Sequence, residues 1–164
     1  MSQERLFQEG TGVPDSWETY LLAQLHIKTN PEPLPPWEKN STDPRGPRLF
    51  TAKVKQQCWD RSGTVYGRDP QRWRIDALGN PVIHGLKGCM GKYCHEYDHI
   101  LPYSKGGHSI VQNCQVLQTT VNRGKGNKTD CTFAELRAMN PVKQFDEAEM
   151  SLVEQLLYGD IRKG

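Results

Sequence analysis

Apolar and polar positions along this chain fall into short segments separated by clear breaks. Trp17, Tyr20, Leu21 and Leu25 recur at helical spacing between Asp15 and Ile27, with Asp15 or Ser16 placed to cap and Glu18 in the first turn. Six prolines then fall between Asn30 and Pro47, which excludes helix and predicts an extended arm, with Trp37 as a surface anchor. TAKVKQQCW from Thr51 predicts a short helix ended by Gly63. Arg72–Asp76, Ala77–Asn80 and Pro81–Ile83 read as strand, glycine-containing turn and strand. Thr132-Phe-Ala-Glu135 is a capping-box sequence opening a helix through Met139, stopped by Asn140-Pro141. A last helix is predicted over 147–158, with Met150, Val153, Leu156 and Leu157 on one side and Gly159 as its C-terminal cap. These outer helices read as packing elements.

With 164 residues, 35% of them hydrophobic and 24% charged, the chain is long enough for one domain with extensions and a modest core. No run approaches the ~20 apolar residues of a membrane span. The opening MSQERLFQEG has neither the apolar stretch of a secretory signal nor the acid-poor character of a transit peptide. The expectation is an intracellular protein, nuclear or cytoplasmic rather than organellar. Its five cysteines then read as reduced thiols or metal ligands rather than bridges. The net charge of +2 conceals an asymmetry: 1–44 carry a net −4, 45–128 a net +9 and 129–164 a net −3. A basic middle between acidic ends is the footprint of a nucleic-acid-binding core with solubilising flanks.

The chemistry is concentrated in Tyr97–Lys128, YDHILPYSKGGHSIVQNCQVLQTTVNRGKGNK. Ile100 and Leu101 are predicted on a strand after the Asp98-His99 pair, and Pro102–Gly107 as a turn with Gly106-Gly107 supplying positive φ. A second strand lies within Val111–Leu117, and a helix with Val121 inward begins near Gln118 and ends at Gly124 or Gly126. Folding these back on one another brings Asp98, His99, Asn113 and Asn122 together. A carboxylate and an amide oxygen suit Mg²⁺, which takes one or two protein groups and keeps its waters. An imidazole with a reference pKa of about 6.5 can take a proton from water near neutrality. Neighbours on a regular strand face opposite ways, so Asp98-His99 must sit at a strand end or a distortion.

These residues resemble the HNH, or ββα-metal, nuclease motif: Asp98-His99-Ile100-Leu101-Pro102-Tyr103-Ser104-Lys105-Gly106-Gly107, then Asn113, then Asn122-Arg123-Gly124-Lys125-Gly126. The third signature position is Asn rather than His. In that, and in the separations of 14 from His99 to Asn113 and 24 from Asp98 to Asn122, the segment is similar to the HNH module of the RNA-guided CRISPR effector nuclease. The resemblance covers about 94–128; upstream, Trp73–Asn80 resembles more weakly the strands preceding the motif in small phage and eukaryotic HNH proteins.

The resemblance implies an α+β fold: a ββα-metal (HNH, His-Me finger) core with an upstream β-hairpin and flanking packing helices. The expected organisation is an acidic helix and Pro-rich arm over 1–44, a nuclease domain over 45–145 with the motif at about 96–128, and a C-terminal helix over 146–164. The implied activity is metal-dependent endonucleolytic hydrolysis of DNA phosphodiesters, leaving 5′-phosphate and 3′-hydroxyl ends. His99 would be the general base, and Asp98 and Asn122 would hold one Mg²⁺ or Mn²⁺. Asn113, counted with His99 as catalytic, would orient the loop and through it the His99 ring. Lys105, Arg123, Lys125 and Lys128 would contact the nucleic-acid backbone, unopposed because no acid lies from His99 through Lys128. RNA or branched nucleic acid remains open as substrate, and so does monomer or dimer; no membrane partner is expected. Family members with a structural zinc use paired Cys-x-x-Cys knuckles. Here Gln118 and Val121 stand at the helix positions, so zinc on Cys89 and Cys94 is not expected.

His95 and His108 read as loop or supporting residues, and Arg72, Trp73 and Arg74 as a half-buried strand with Trp inward and Arg outward or as a base-stacking or phosphate-gripping edge. Lys53, Lys55, Arg61 and Arg68 divide evenly between groove contacts and solvated surface. The alternative function is a non-catalytic nucleic-acid-binding or ribonucleoprotein component that retains the fold. A zinc-stabilised interaction domain would require four ligands.

Overall fold

A computed structural model describes residues 46–140 and 145–159. The helix expected at 15–27 and nearly all of the Pro-rich arm lie outside these. The fold is mixed α+β, and the described residues form two small antiparallel sheets and four α-helices. Among the described residues no helix is long and apolar enough to cross a membrane.

Helix α1, Ala52–Arg61, starts where Thr51 Oγ1 accepts from the Val54 amide, and it buries Val54, Cys58 and Trp59 at i, i+4, i+5 spacing. The first sheet follows: β1 (Gly63–Thr64), β2 (Trp73–Ile75) and β3 (Pro81–Ile83), in that order, with Trp73 opposite Ile83 and Ile75 opposite Pro81. The predicted turn between β2 and β3 closes on Asp76, whose Oδ1 accepts from the Leu78 and Asn80 amides. Its Oδ2 accepts from the Gln118 amide, so the hairpin turn is pinned to the start of the next helix. Arg74 departs from the expected outward orientation. It is buried, and it donates to the carbonyls of Pro70, Asp60 and Ser62, because the chain leaving α1 folds over that face of the strand.

The second sheet pairs β4 (His95–His99) with β5 (Cys114–Gln118), His95 opposite Gln118 and His99 opposite Cys114. The strand therefore precedes the Asp98-His99 pair and ends on it; Ile100 and Leu101 begin the loop. In the turn only Gly106 has positive φ, +94°. Gly107 is required for a different reason, since a Cβ there would lie 1.8 Å from the Leu101 carbonyl oxygen. Helix α2 (Thr119–Lys125) follows β5 without a loop, capped by the Gln118 side chain, and buries Val121. Helix α3 (Phe133–Met139) has the predicted capping box between Thr132 and Glu135 and packs Leu136 with Val121, Leu117 and Leu78.

Helix α4 (Glu147–Tyr158) has the expected bounds, with Asp146 as N-cap and Gly159 at φ +78°. Its inward face differs. Met150 and Val153 pack against Trp73, Ile75 and Tyr93, but Leu156 is 77% exposed and Glu154 only 3%. The seam is 150/154, one helical turn apart, and the carboxylate is tolerated there because Trp73 Nε1, Arg68 Nη1 and Arg72 Nη1 donate to it at 2.9, 3.1 and 3.0 Å.

Candidate active site

The two faces of β4 carry different chemistry. His95, Tyr97 and His99 alternate on one, toward Phe50 and Trp59; Glu96 and Asp98 alternate on the other, toward α2. The Asp98 and His99 side chains thus leave the strand end from opposite faces, His99 toward Phe50 and Asp98 toward Lys125.

His99 is held on three sides. Its ring stacks on Phe50 with centroids 4.0 Å apart, Tyr103 meets its edge at 6.1 Å, and Nε2 lies 2.9 Å from Ser109 Oγ. The Ser109 hydroxyl donates its one proton to the Arg48 carbonyl, 3.0 Å away, so toward His99 it can only accept. Neutral His99 therefore carries its proton on Nε2 and keeps the Nδ1 lone pair. Burial, with the Lys125 and Arg48 charges, lowers its pKa from 6.5 to about 4, so the ring is neutral near pH 7. It borders an open cleft of about 350 Å³.

Asn113 does not border the cleft. It is fully buried; its Oδ1 accepts from the Leu101 amide, and its Nδ2 donates to the Leu101 and His108 carbonyls. With the Ile100 amide on the Asn113 carbonyl, one residue clamps both ends of the loop that carries Ser109. That is a positioning role, acting on His99 through the loop.

Asp98 and Asn122 are brought to one strand–helix seam by crossed pairs. Lys125 Nζ lies 2.8 Å from Asp98 Oδ2, to which Gln115 Nε2 also donates, while Glu96 Oε2 accepts from Asn122 Nδ2 at 2.7 Å. Burial raises the Asp98 pKa, with Lys125 and Gln115 opposing. With its nitrogen committed to Glu96, Asn122 has its carbonyl oxygen left to donate. A carboxylate and an amide oxygen fit Mg²⁺ or Mn²⁺, whose other positions are water or phosphate. Among the described residues no group of three or more His, Cys, Asp or Glu side chains could hold a metal. Glu96, absent from the sequence-based set, is thus central to the seam. The available signal was its place two residues before Asp98, on the same strand face.

The basic residues separate. Lys105 and Lys128 are exposed, Lys105 Nζ donating to Thr129 Oγ1. Arg123 is 50% exposed in its side chain and paired with Glu96, with a further bond to the Gly88 carbonyl. Lys125 corrects the expectation of an outward basic helix face. It is 2% exposed and turned inward onto Asp98 and the His99 carbonyl. The acids that neutralise Arg123 and Lys125 come from β4, just ahead of the acid-free stretch. Arg68, paired with Glu147 and Glu154, braces α4.

His95 is a core residue, fully buried among Trp59, His84 and Tyr97, and among the described residues neither ring nitrogen has a hydrogen-bond partner. Burial chiefly lowers its pKa to about 4, and the Ile83 carbonyl is near enough to act on it without hydrogen-bond geometry. Cys89 and Cys94 form a disulfide, against the expectation of reduced thiols. The loop turns at Gly88, φ +76°, and the Cα atoms of Cys89 and Cys94 are 5.5 Å apart, within bridging range. Cys58 and Cys114 are free and buried, and Cys131 is free and half-buried. Comparison of the chain with protein-family models, curated proteins and solved structures returned no match.

Proposed function

We propose that the protein is a metal-dependent endonuclease that hydrolyses phosphodiester bonds in DNA, with β4, its loop, β5 and α2 as a ββα-metal core. The observation that carries this reading is the His99 tautomer: Ser109 and the Arg48 carbonyl commit Nε2, leaving the Nδ1 lone pair of a neutral imidazole as the base. His99 Nδ1 accepts a proton from the attacking water; Phe50 and Ser109 keep the ring from turning, and Asn113 holds the loop that carries Ser109. Asp98 and Asn122 would hold a Mg²⁺ or Mn²⁺, which when bound supplies charge neutralisation at the scissile phosphate and the leaving 3′ oxygen. Glu96 turns the Asn122 amide, and Lys125 keeps Asp98 in place.

The test is conversion of supercoiled plasmid to nicked or linear form with Mg²⁺ or Mn²⁺. His99→Ala is expected to lower the rate about 10²- to 10⁴-fold, the usual worth of a general base, with the fold intact. Equal cutting by wild type and variant removes the enzymatic reading.

One observation favours a second reading, a non-catalytic nucleic-acid-binding or ribonucleoprotein component: Lys125 already compensates the Asp98 charge without a bound cation. On that reading, affinity for duplex DNA or structured RNA survives Asp98→Ala and no product forms under any metal condition.

A further inference from the structure

The cleft beside His99 is built mainly by residues outside the motif. Arg48 and Leu49 come from the segment before α1, Lys55 from α1, and Lys87 from the stretch that bridges to β4 at His95. Phe50 lies beside them, and Glu96, Tyr97 and His99 line it from β4, the Glu96 carboxylate being held by Arg123 and Asn122. Three cations thus face one concavity, and among the described residues neither Arg48, Lys55 nor Lys87 has a side-chain hydrogen bond or ion pair. That contrasts with Arg68, Arg72, Arg74 and Arg123, each of which has an acidic partner. Three cations around a concavity whose one carboxylate, Glu96, is already paired with Arg123 and Asn122 call for an anionic ligand. The cleft is not purely polar: Leu49 is 76% exposed, and the Tyr97 ring adds an aromatic surface.

Size narrows the ligand. A cleft of about 350 Å³ sits at the small end of the ~300–1,000 Å³ range of small-ligand sites, with room for a single nucleotide and none for a duplex. A base within a duplex has its faces covered by neighbours and its edge by its partner, so only a nucleotide outside the stack can enter a concave site. We propose that this cleft is a subsite for one unpaired nucleotide next to the scissile phosphate, with Arg48, Lys55 and Lys87 on its phosphates and Leu49 and Tyr97 against its base. The protein thereby selects nucleic acid with a distorted or unpaired position over continuous duplex. The proposal rests on the nuclease reading for the place of the scissile bond, but its binding prediction stands apart from cleavage.

The test is fluorescence anisotropy of the full chain in EDTA, with a short paired DNA duplex and the same duplex carrying one unpaired nucleotide. Wild type is expected to bind the second probe about tenfold more tightly, in line with the worth of stacking one base. Lys55→Glu with Lys87→Glu is expected to erase that preference. Should the charge reversal unfold the protein, Lys55→Gln with Lys87→Gln decides, with a reduced preference at an unchanged melting temperature. Equal affinity of wild type for the two probes, no binding to either, or an undiminished preference in the folded double variant overturns the proposal. Adding Mg²⁺ separates the two claims. Preference without product leaves the subsite standing and removes the nuclease; product without preference does the reverse.

Discussion

Two buried carboxylates in this protein are compensated in opposite ways. Glu154 uses both oxygens: Oε1 meets Arg72, and Oε2 meets Arg68 and the Trp73 indole. Asp98 directs Lys125 and Gln115 to the same oxygen, Oδ2, and Oδ1 accepts no side-chain hydrogen bond among the described residues. The first arrangement is saturated and locks α4 to the β-hairpin. The second leaves one oxygen without a side-chain donor. Saturated pairing serves architecture; incomplete pairing within a rigid frame is what a reactive site needs.

The contrast can be broken most directly at Glu154. Glu154→Ala takes the buried acceptor from two guanidinium groups and an indole, leaving Arg68 on Glu147 and Arg72 on Asp69, and is expected to cost about 3 kcal/mol, read by urea denaturation. A loss below about 1 kcal/mol would mean that the cluster is surface decoration. His95 supplies a third case, a buried polar ring with no partner. Its pKa is near 4 folded and about 6.5 unfolded, so below 6.5 the unfolded state binds the proton first. Stability is therefore complete above pH 6.5 and lost as pH falls toward 4, by an amount of order 3 kcal/mol. His95→Phe should flatten that part of the stability–pH profile, and an identical slope in the variant would show that His95 does not titrate with unfolding. Asp98→Asn keeps an oxygen for Lys125 and Gln115, so a smaller loss of about 1–3 kcal/mol is expected, with plasmid cutting abolished. If activity survives, Asp98 belongs with Glu154 as architecture. The smallest effect is assigned to Arg123→Ala, whose half-exposed pair with Glu96 is worth about 0.2–1 kcal/mol. Weakened DNA binding at unchanged stability would show that Arg123 reaches the backbone as well as Glu96.

The elements with local causes were legible in the chain. Thr51 before AKVKQQCWDR, the Asp76–Asn80 turn, the Thr132–Glu135 box and Gly159 each set an element boundary through a cap or a backbone preference acting within a few residues. The orientation of side chains that must choose between two environments was less legible. Periodicity placed Leu156 inward and the nucleic-acid-contact reading placed Lys125 outward, yet the structure exposes the first and buries the second, Lys125 because Asp98 compensates its charge there.

By itself, then, the sequence determined the helix limits, the Trp73–Ile83 hairpin, the need for Asp98-His99 to sit at a strand end or a distortion, and the identity of the residues bearing the candidate chemistry, since these follow from short-range backbone and capping preferences. Only the tertiary structure decided the proton position on His99, the anchoring of Asn122 by Glu96, the inward turn of Lys125 and the Cys89–Cys94 bridge. Each depends on distances between side chains that folding sets, and some partners, such as Arg48 and Ser109, are far apart along the chain.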